Sequence, residues 1–216
     1  MSGLPCHRVI GSGTYLDSSR FQTLIAQAFG IDSISFQAMM LGEHSDSSFV
    51  YRSGTSVGGV PLQKCFLSLP GAGVSEEPFA GLVNDVHQRV LRAAYEVIEL
   101  KGHTNWAIGS AVGSTVTAIL QDQREVMPVS TRTGALKGLA SSDMFLSLPC
   151  VLGRNGVLET LQILLFMDGD EREHLRRSIA VLEEVSAKSG WGLQAELHLP
   201  YTCAGYEYRC DKVVEE

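Results

Sequence analysis

The chain has 216 residues, enough to bury the core of one sizeable domain. With 44% hydrophobic and 19% charged residues, the composition argues for a folded core and against disorder. A formal charge of -7 argues against a dedicated nucleic-acid surface, which needs clustered Lys and Arg.

Residues 5 to 13 read as an extended segment closed by a glycine turn. A helix is expected next, with Phe21, Leu24, Ile25, Ala28 and Phe29 at helical spacing. Asp17 or Ser18 is the expected cap, and Gly30 the stop. Residues 33 to 41 are strand-like and lead into Gly42-Glu43-His44, and residues 49 to 61 suggest a second strand and a turn. Residues 66 to 80, rich in Gly and Pro, read as a loop.

Val83, Val86, Val90, Ala94, Val97 and Ile98 define an amphipathic helix over residues 82 to 101, with Gly102 as its stop. From Trp106 to Leu120 the sequence is apolar on most sides, which predicts a buried helix. Residues 125 to 131, 143 to 152 and 157 to 166 look like strands of an antiparallel sheet, with Asn155-Gly156 as the turn between the last two. Asp168 and Glu171 have the spacing of a capping box. Leu175, Ile179, Leu182 and Val185 then line a final helix ending at Gly190. The tail from His198 has no clear period. Phe-Leu-Ser-Leu-Pro occurs at 66 to 70 and again at 145 to 149, but the flanks differ and no repeat is inferred. Strands and helices without strict alternation indicate an α+β class, an antiparallel sheet with packed helices.

The five cysteines, at 6, 65, 150, 203 and 210, are odd in number and irregularly spaced. That argues for a reducing compartment, cytoplasmic or mitochondrial, and against a disulfide framework. No CxxC pair suggests zinc, and no apolar run reaches the roughly 20 residues of a membrane span. No targeting peptide is visible after Met1.

Three residues can share one piece of chemistry. Asp17 and Arg20 are three apart, so on a helix both can face one way. His44 follows a strand and can exchange a proton with a carbonyl oxygen. A carboxylate bonded to its other ring nitrogen fixes the tautomer and raises the pKa. An Arg can hold a substrate carboxylate through two parallel hydrogen bonds.

Several segments together resemble the C-terminal, substrate-binding half of lactate/malate dehydrogenases, with greatest similarity to the eukaryotic L-lactate dehydrogenase branch. They are residues 3 to 21, Gly42-Glu43-His44 with Asp46-Ser47, residues 94 to 109, and residues 145 to 153 with Asn155-Gly156. The resemblance implies that His44 is the proton donor and acceptor and Asp17 its orienting carboxylate. It further implies that Arg20 binds a 2-oxo-acid carboxylate, that Thr104 lines the substrate pocket, and that Ser12 lies near the nicotinamide. Thr104 followed by Trp106 fits the lactate branch.

The departures matter as well. Ser45 stands where the histidine motif has Gly, and a need for positive φ there would strain it. The family's lid loop and its NAD-binding Rossmann half are not found in this sequence. Gly11-Ser12-Gly13 is a weak candidate for a dinucleotide fingerprint, because position 16 is Leu and no second strand with an acidic residue follows.

The expected organisation is one lactate/malate dehydrogenase C-terminal-like domain over 1–195 and an extension over 196–216. The first expectation for function is a non-catalytic structural or accessory subunit. The alternative is an L-lactate dehydrogenase whose NAD-binding half comes from another chain. No cofactor is expected on this chain alone, and NAD if a Rossmann partner is present. A protein partner, or a second copy, is expected on the face that such a domain would cover.

Overall fold

The computed structural model describes residues 3–68, 76–136 and 144–189. A 3-10 turn at Cys6–Arg8 leads to helix α1, Tyr15–Phe29. Five two-residue strands follow: β1 Phe36–Gln37, β2 Met40–Leu41, β3 Phe49–Val50, β4 Ser56–Val57 and β5 Val60–Pro61. Next come helices α2 Leu62–Ser68, α3 Glu76–Lys101 and α4 Trp106–Leu120. Strands β6 Glu125–Arg132, β7 Phe145–Gly153 and β8 Gly156–Thr160 then form an antiparallel sheet with β7 in the middle, before helix α5, Gly169–Ser189. This is the expected α+β architecture.

Two apolar clusters hold it together. Leu146, Leu148, Leu152, Met127 and Val129 of the sheet pack with Ala118 of α4 and with Leu175 and Ile179 of α5. Phe21 and Ile25 of α1 pack with Val86 and Val90 of α3 and with Phe36 and Met40. Fully burying one such side chain contributes about 1.5–3 kcal/mol. Helix α1 touches both the sheet and α3, so it sits at the junction between the clusters.

Several local expectations need correction. Helix α1 starts at Tyr15 with Thr14 at its N-cap position, so Asp17 and Ser18 lie inside the first turn and do not cap it. Gly30 ends it as expected, at φ 65°, in the left-handed region that suits glycine. The stretch 33 to 41 is a 3-10 turn followed by two short strands rather than one strand. In 49 to 61, β4 and β5 pair across Gly58 and Gly59, at φ 55° and 84°, values that favour a tight hairpin.

The loop expected over 66 to 80 is helical at both described ends. Helix α2 runs to Ser68, and α3 begins at Glu76, with Pro78 in its first turn, where proline is tolerated. The strand expected to 166 ends at Thr160, and a 3-10 turn covers Ile163–Leu165. The β7–β8 turn is Arg154-Asn155, one residue earlier than expected, since Gly153 pairs with Gly156. Helix α4 is not buried on most sides: only Ala111, Thr115 and Ala118 are buried, while Trp106 is 80% and Leu120 72% exposed.

The expected capping box of α5 is present. Asp168 Oδ1 accepts from Glu171 N at 2.8 Å, and Glu171 Oε2 accepts from Asp168 N at 2.9 Å. The shared pentapeptide is helical at Phe66–Ser68 and a strand at 145–149, consistent with coincidence. Gly190 and the tail lie outside the described residues.

Candidate functional site

The start of α1 is fixed by side chains and backbone from distant strands. Thr14 N donates to Ser147 Oγ of β7 at 3.1 Å, and the Thr14 hydroxyl donates to the Met40 carbonyl. Ser18 Oγ donates to the Thr14 carbonyl and accepts from Met40 N, each at 2.8 Å. Gly13, at φ 51°, lies so close to the sheet that a Cβ there would meet the Ser147 hydroxyl and come within 2.6 Å of Ser130 N. Ser147 also pairs through its backbone with Gly42, at 2.9 and 3.1 Å. One residue of the central strand therefore ties down the beginning of α1 and the end of β2, and brings Asp17 and His44 together.

His44 sits in the turn between β2 and β3. Its Nδ1 donates to Asp17 Oδ2 at 2.8 Å, and Arg20 Nη1 donates to Asp17 Oδ1 at 3.4 Å. The Asp17 side chain is 11% exposed and that of His44 50% exposed. The carboxylate is thus held beneath the surface, while the imidazole reaches outward with Nε2 free of Asp17. Its pKa is raised above the ordinary 6.5, first by the Asp17 hydrogen bond and then by the negative charges of Asp17 and Glu43, against partial burial and Arg20. Such a histidine can exchange a proton at Nε2 with its tautomer fixed by the bond at Nδ1.

The turn itself is pinned. Glu43 Oε2 accepts from the Ser45 and Ser47 hydroxyls, each at 2.6 Å, and Glu43 N donates to Ser178 Oγ at 2.6 Å. Among the described residues, the non-glycine positions at positive φ are Asp122 and Arg124, so Ser45 carries no strain of that kind. Its hydroxyl instead holds the Glu43 carboxylate. On α3, burial lowers the pKa of His87, opposed by the Ser48 backbone, and its Nε2 is buried without a hydrogen-bond partner among the described residues.

The other two sequence candidates lie apart from this set. Thr104 is exposed in the connection between α3 and α4, and no hydrogen bond or ion pair among the described residues joins it to Asp17, Arg20 or His44. Ser12 is partly buried ahead of α1, its carbonyl accepting from Tyr15 N at 3.2 Å. Two cavities, of about 460 and 740 Å³, are lined without any of the three central residues. Neither encloses the Asp17–His44 pair.

Gly11 and Gly13 are used for packing. Gly11 bridges Ser130 through two backbone hydrogen bonds of 3.0 Å, and Gly13 abuts the same strand. That geometry does not fit a phosphate cradle, in which glycines open the backbone to a ligand.

Sequence reasoning missed Ser147, Ser178 and His87. Thr14 and Ser147 are 133 positions apart, and Glu43 and Ser178 are 135 apart, so no local periodicity marks them.

Residues 14–189 match a family model described as the alpha/beta C-terminal domain of lactate/malate dehydrogenase. The chain is 42% identical over 197 residues to an L-lactate dehydrogenase A chain from Pelodiscus sinensis japonicus, an alignment covering 91% of this chain and 54% of that one. It is 41% identical over 198 residues to the A chain of Ambystoma mexicanum, covering 92% of this chain and 55% of that one. It is 42% identical over 197 residues to an L-lactate dehydrogenase B chain from Anguilla rostrata, again covering 91% and 54%. The chain thus spans about half the length of the curated relatives it matches.

Proposed function

Because the chain belongs to the lactate/malate dehydrogenase family through its alpha/beta C-terminal domain, we propose that it supplies the substrate half of a lactate-dehydrogenase-type site. The observation that carries this reading is the 2.8 Å bond from His44 Nδ1 to Asp17 Oδ2, with Arg20 on the other oxygen of the same carboxylate. In this reading Arg20 holds the carboxylate of a 2-oxo acid. Protonated His44 gives the proton on Nε2 to the ketone oxygen and takes it back in the reverse direction. Asp17 orients the ring and favours its charged form. Thr104 lines the pocket and Ser12 faces the nicotinamide, both from outside the hydrogen-bonded set.

Gly11 and Gly13 are committed to backbone packing, so in this reading NAD belongs to a Rossmann-type domain outside these residues, where its reduced form would supply the hydride for the ketone carbon. That domain would rest on the apolar surface left by α3 and α4. The second reading is a non-catalytic accessory subunit. It is favoured by that same surface, where Leu100 is 90% and Trp106 80% exposed, since a partner of any fold can cover it.

NMR titration of the chain with pyruvate tests the substrate reading. Saturable shifts at the Arg20 guanidinium and the His44 ring are expected, abolished by R20Q. Saturable shifts that persist in R20Q, or none at either residue, would contradict it.

A further inference from the structure

The strongest unassigned feature near the site is the contact between α5 and the turn that carries His44. Ser178 is fully buried, with 0% exposure, and lies on a helix remote in sequence from the turn. Its Oγ accepts from Glu43 N at 2.6 Å and lies 3.2 Å from Ser47 Oγ. Ser47 in turn donates to Glu43 Oε2 at 2.6 Å. The residue just before His44 is therefore gripped at its amide by α5 and at its carboxylate by two hydroxyls of its own turn. Gly42, at φ 99°, makes the close approach feasible, because a Cβ there would come within 2.6 Å of Ser178 Oγ.

We propose that Ser178 is a positioning residue for His44: by accepting the Glu43 amide it sets the turn so that the imidazole meets Asp17. The physical reason is accounting of donors. Without Ser178 Oγ, the Glu43 amide loses its acceptor and Ser47 loses a partner, and a partly buried donor left unmade is costly. The turn relieves that cost by moving toward water, which carries His44 away from a carboxylate anchored on α1. The charged groups acting on His44 are Asp17 and Arg20 from α1 and Glu43 beside it. From α3 comes His87, on the Ser48 backbone, and from α5 His174, stacked on Phe49 at 6.0 Å. The His44 midpoint therefore reports on how the turn sets the ring against Asp17, its leading partner, and Glu43.

The proposal rests on His44 being the proton-handling group of the proposed site, but its test does not need turnover. The His44 ring is titrated by NMR in the full chain, in the parent and in S178A and S178C. S178C fills the site with a somewhat larger atom that is a poor acceptor. A fall of the His44 midpoint relative to the parent is expected in both, because the Asp17 hydrogen bond is the leading cause of its raised position. An unchanged midpoint in either folded variant would overturn the proposal. Rapid hydrogen exchange at the Glu43 amide of the parent chain would overturn it without any variant. If the midpoint falls while pyruvate fails to bind the parent, the positioning role stands and the substrate reading falls.

Discussion

His44 and His87 answer to pH in opposite senses. The folded pKa of His44 lies above the ordinary 6.5, so its contribution to stability is fully present below that pH and is lost as pH rises through the folded value. His87 is pushed the other way by burial, so its contribution is full above 6.5 and is lost as pH falls through its lower folded value. In D17N the Asp17 charge is gone and the Asn oxygen accepts only as a neutral partner, while burial and Arg20 still lower His44 against Glu43. The His44 midpoint is expected to fall below that of the parent, measured by NMR of the ring. An H87Q chain is expected to lose part of the acid limb of its Tm–pH profile, and a parent-like acid limb would show that His87 does not set it. Asp17 and Arg20 were legible as a pair because residues three apart share a helix face, and His44 was joined to them by the family resemblance. Ser147 and Ser178 were not, because a serine has no pattern of its own and its partner is fixed only by the fold.

At the level of elements, α5 depends on Glu171. This carboxylate is 1% exposed and accepts from Ser53 N, Ser53 Oγ and Asp168 N, so it caps its helix and also ties it to the segment after β3. E171A is expected to cost about 2 kcal/mol or more, since it removes a cap and leaves partly buried donors unmade. For a chain of this size that lowers Tm by roughly 4–8 °C in calorimetry. G13A should be still less tolerated, because the new methyl meets the Ser130 backbone at 2.6 Å, where no side chain can rotate away. A parent-like Tm would show that α1 can shift off the sheet.

The sheet, α1, the core of α3 and the start of α5 were readable because each has a regular apolar period or a cap. The early start of α3 was hidden by Pro78, which reads as a loop residue yet is tolerated in a first helical turn. The false cap at Asp17 or Ser18 has a different cause. Short polar residues at a helix start serve equally as caps or as tertiary anchors, and here the sheet and the His44 turn claimed them.

For the molecule as a whole, the unbalanced feature is α4 and the end of α3. Periodicity reports that a helix has apolar faces but not whether its own domain covers them. In α4 the domain covers one narrow stripe, leaving Val112 and Val116 44% and 45% exposed beside Trp106 and Leu120. On α3, Tyr95 and Leu100 are exposed to 61% and 90%. Surfaces of this kind mark interaction sites or association hazards. Self-association that grows with concentration is expected for the chain alone in sedimentation velocity, and W106S/L120Q should weaken it. Equal association by the double variant would place the contact elsewhere.

The central claim, that Asp17, Arg20 and His44 form the substrate half of a dehydrogenase site, is tested most directly by complementation. The chain is mixed with the isolated NAD-binding half of an L-lactate dehydrogenase A chain, and pyruvate-dependent loss of NADH absorbance is followed. Turnover is expected only in the mixture, with a loss of about 100-fold or more in H44Q, as for removal of a general acid. A mixture that forms a complex but shows no turnover, or turnover indifferent to H44Q, would contradict the account.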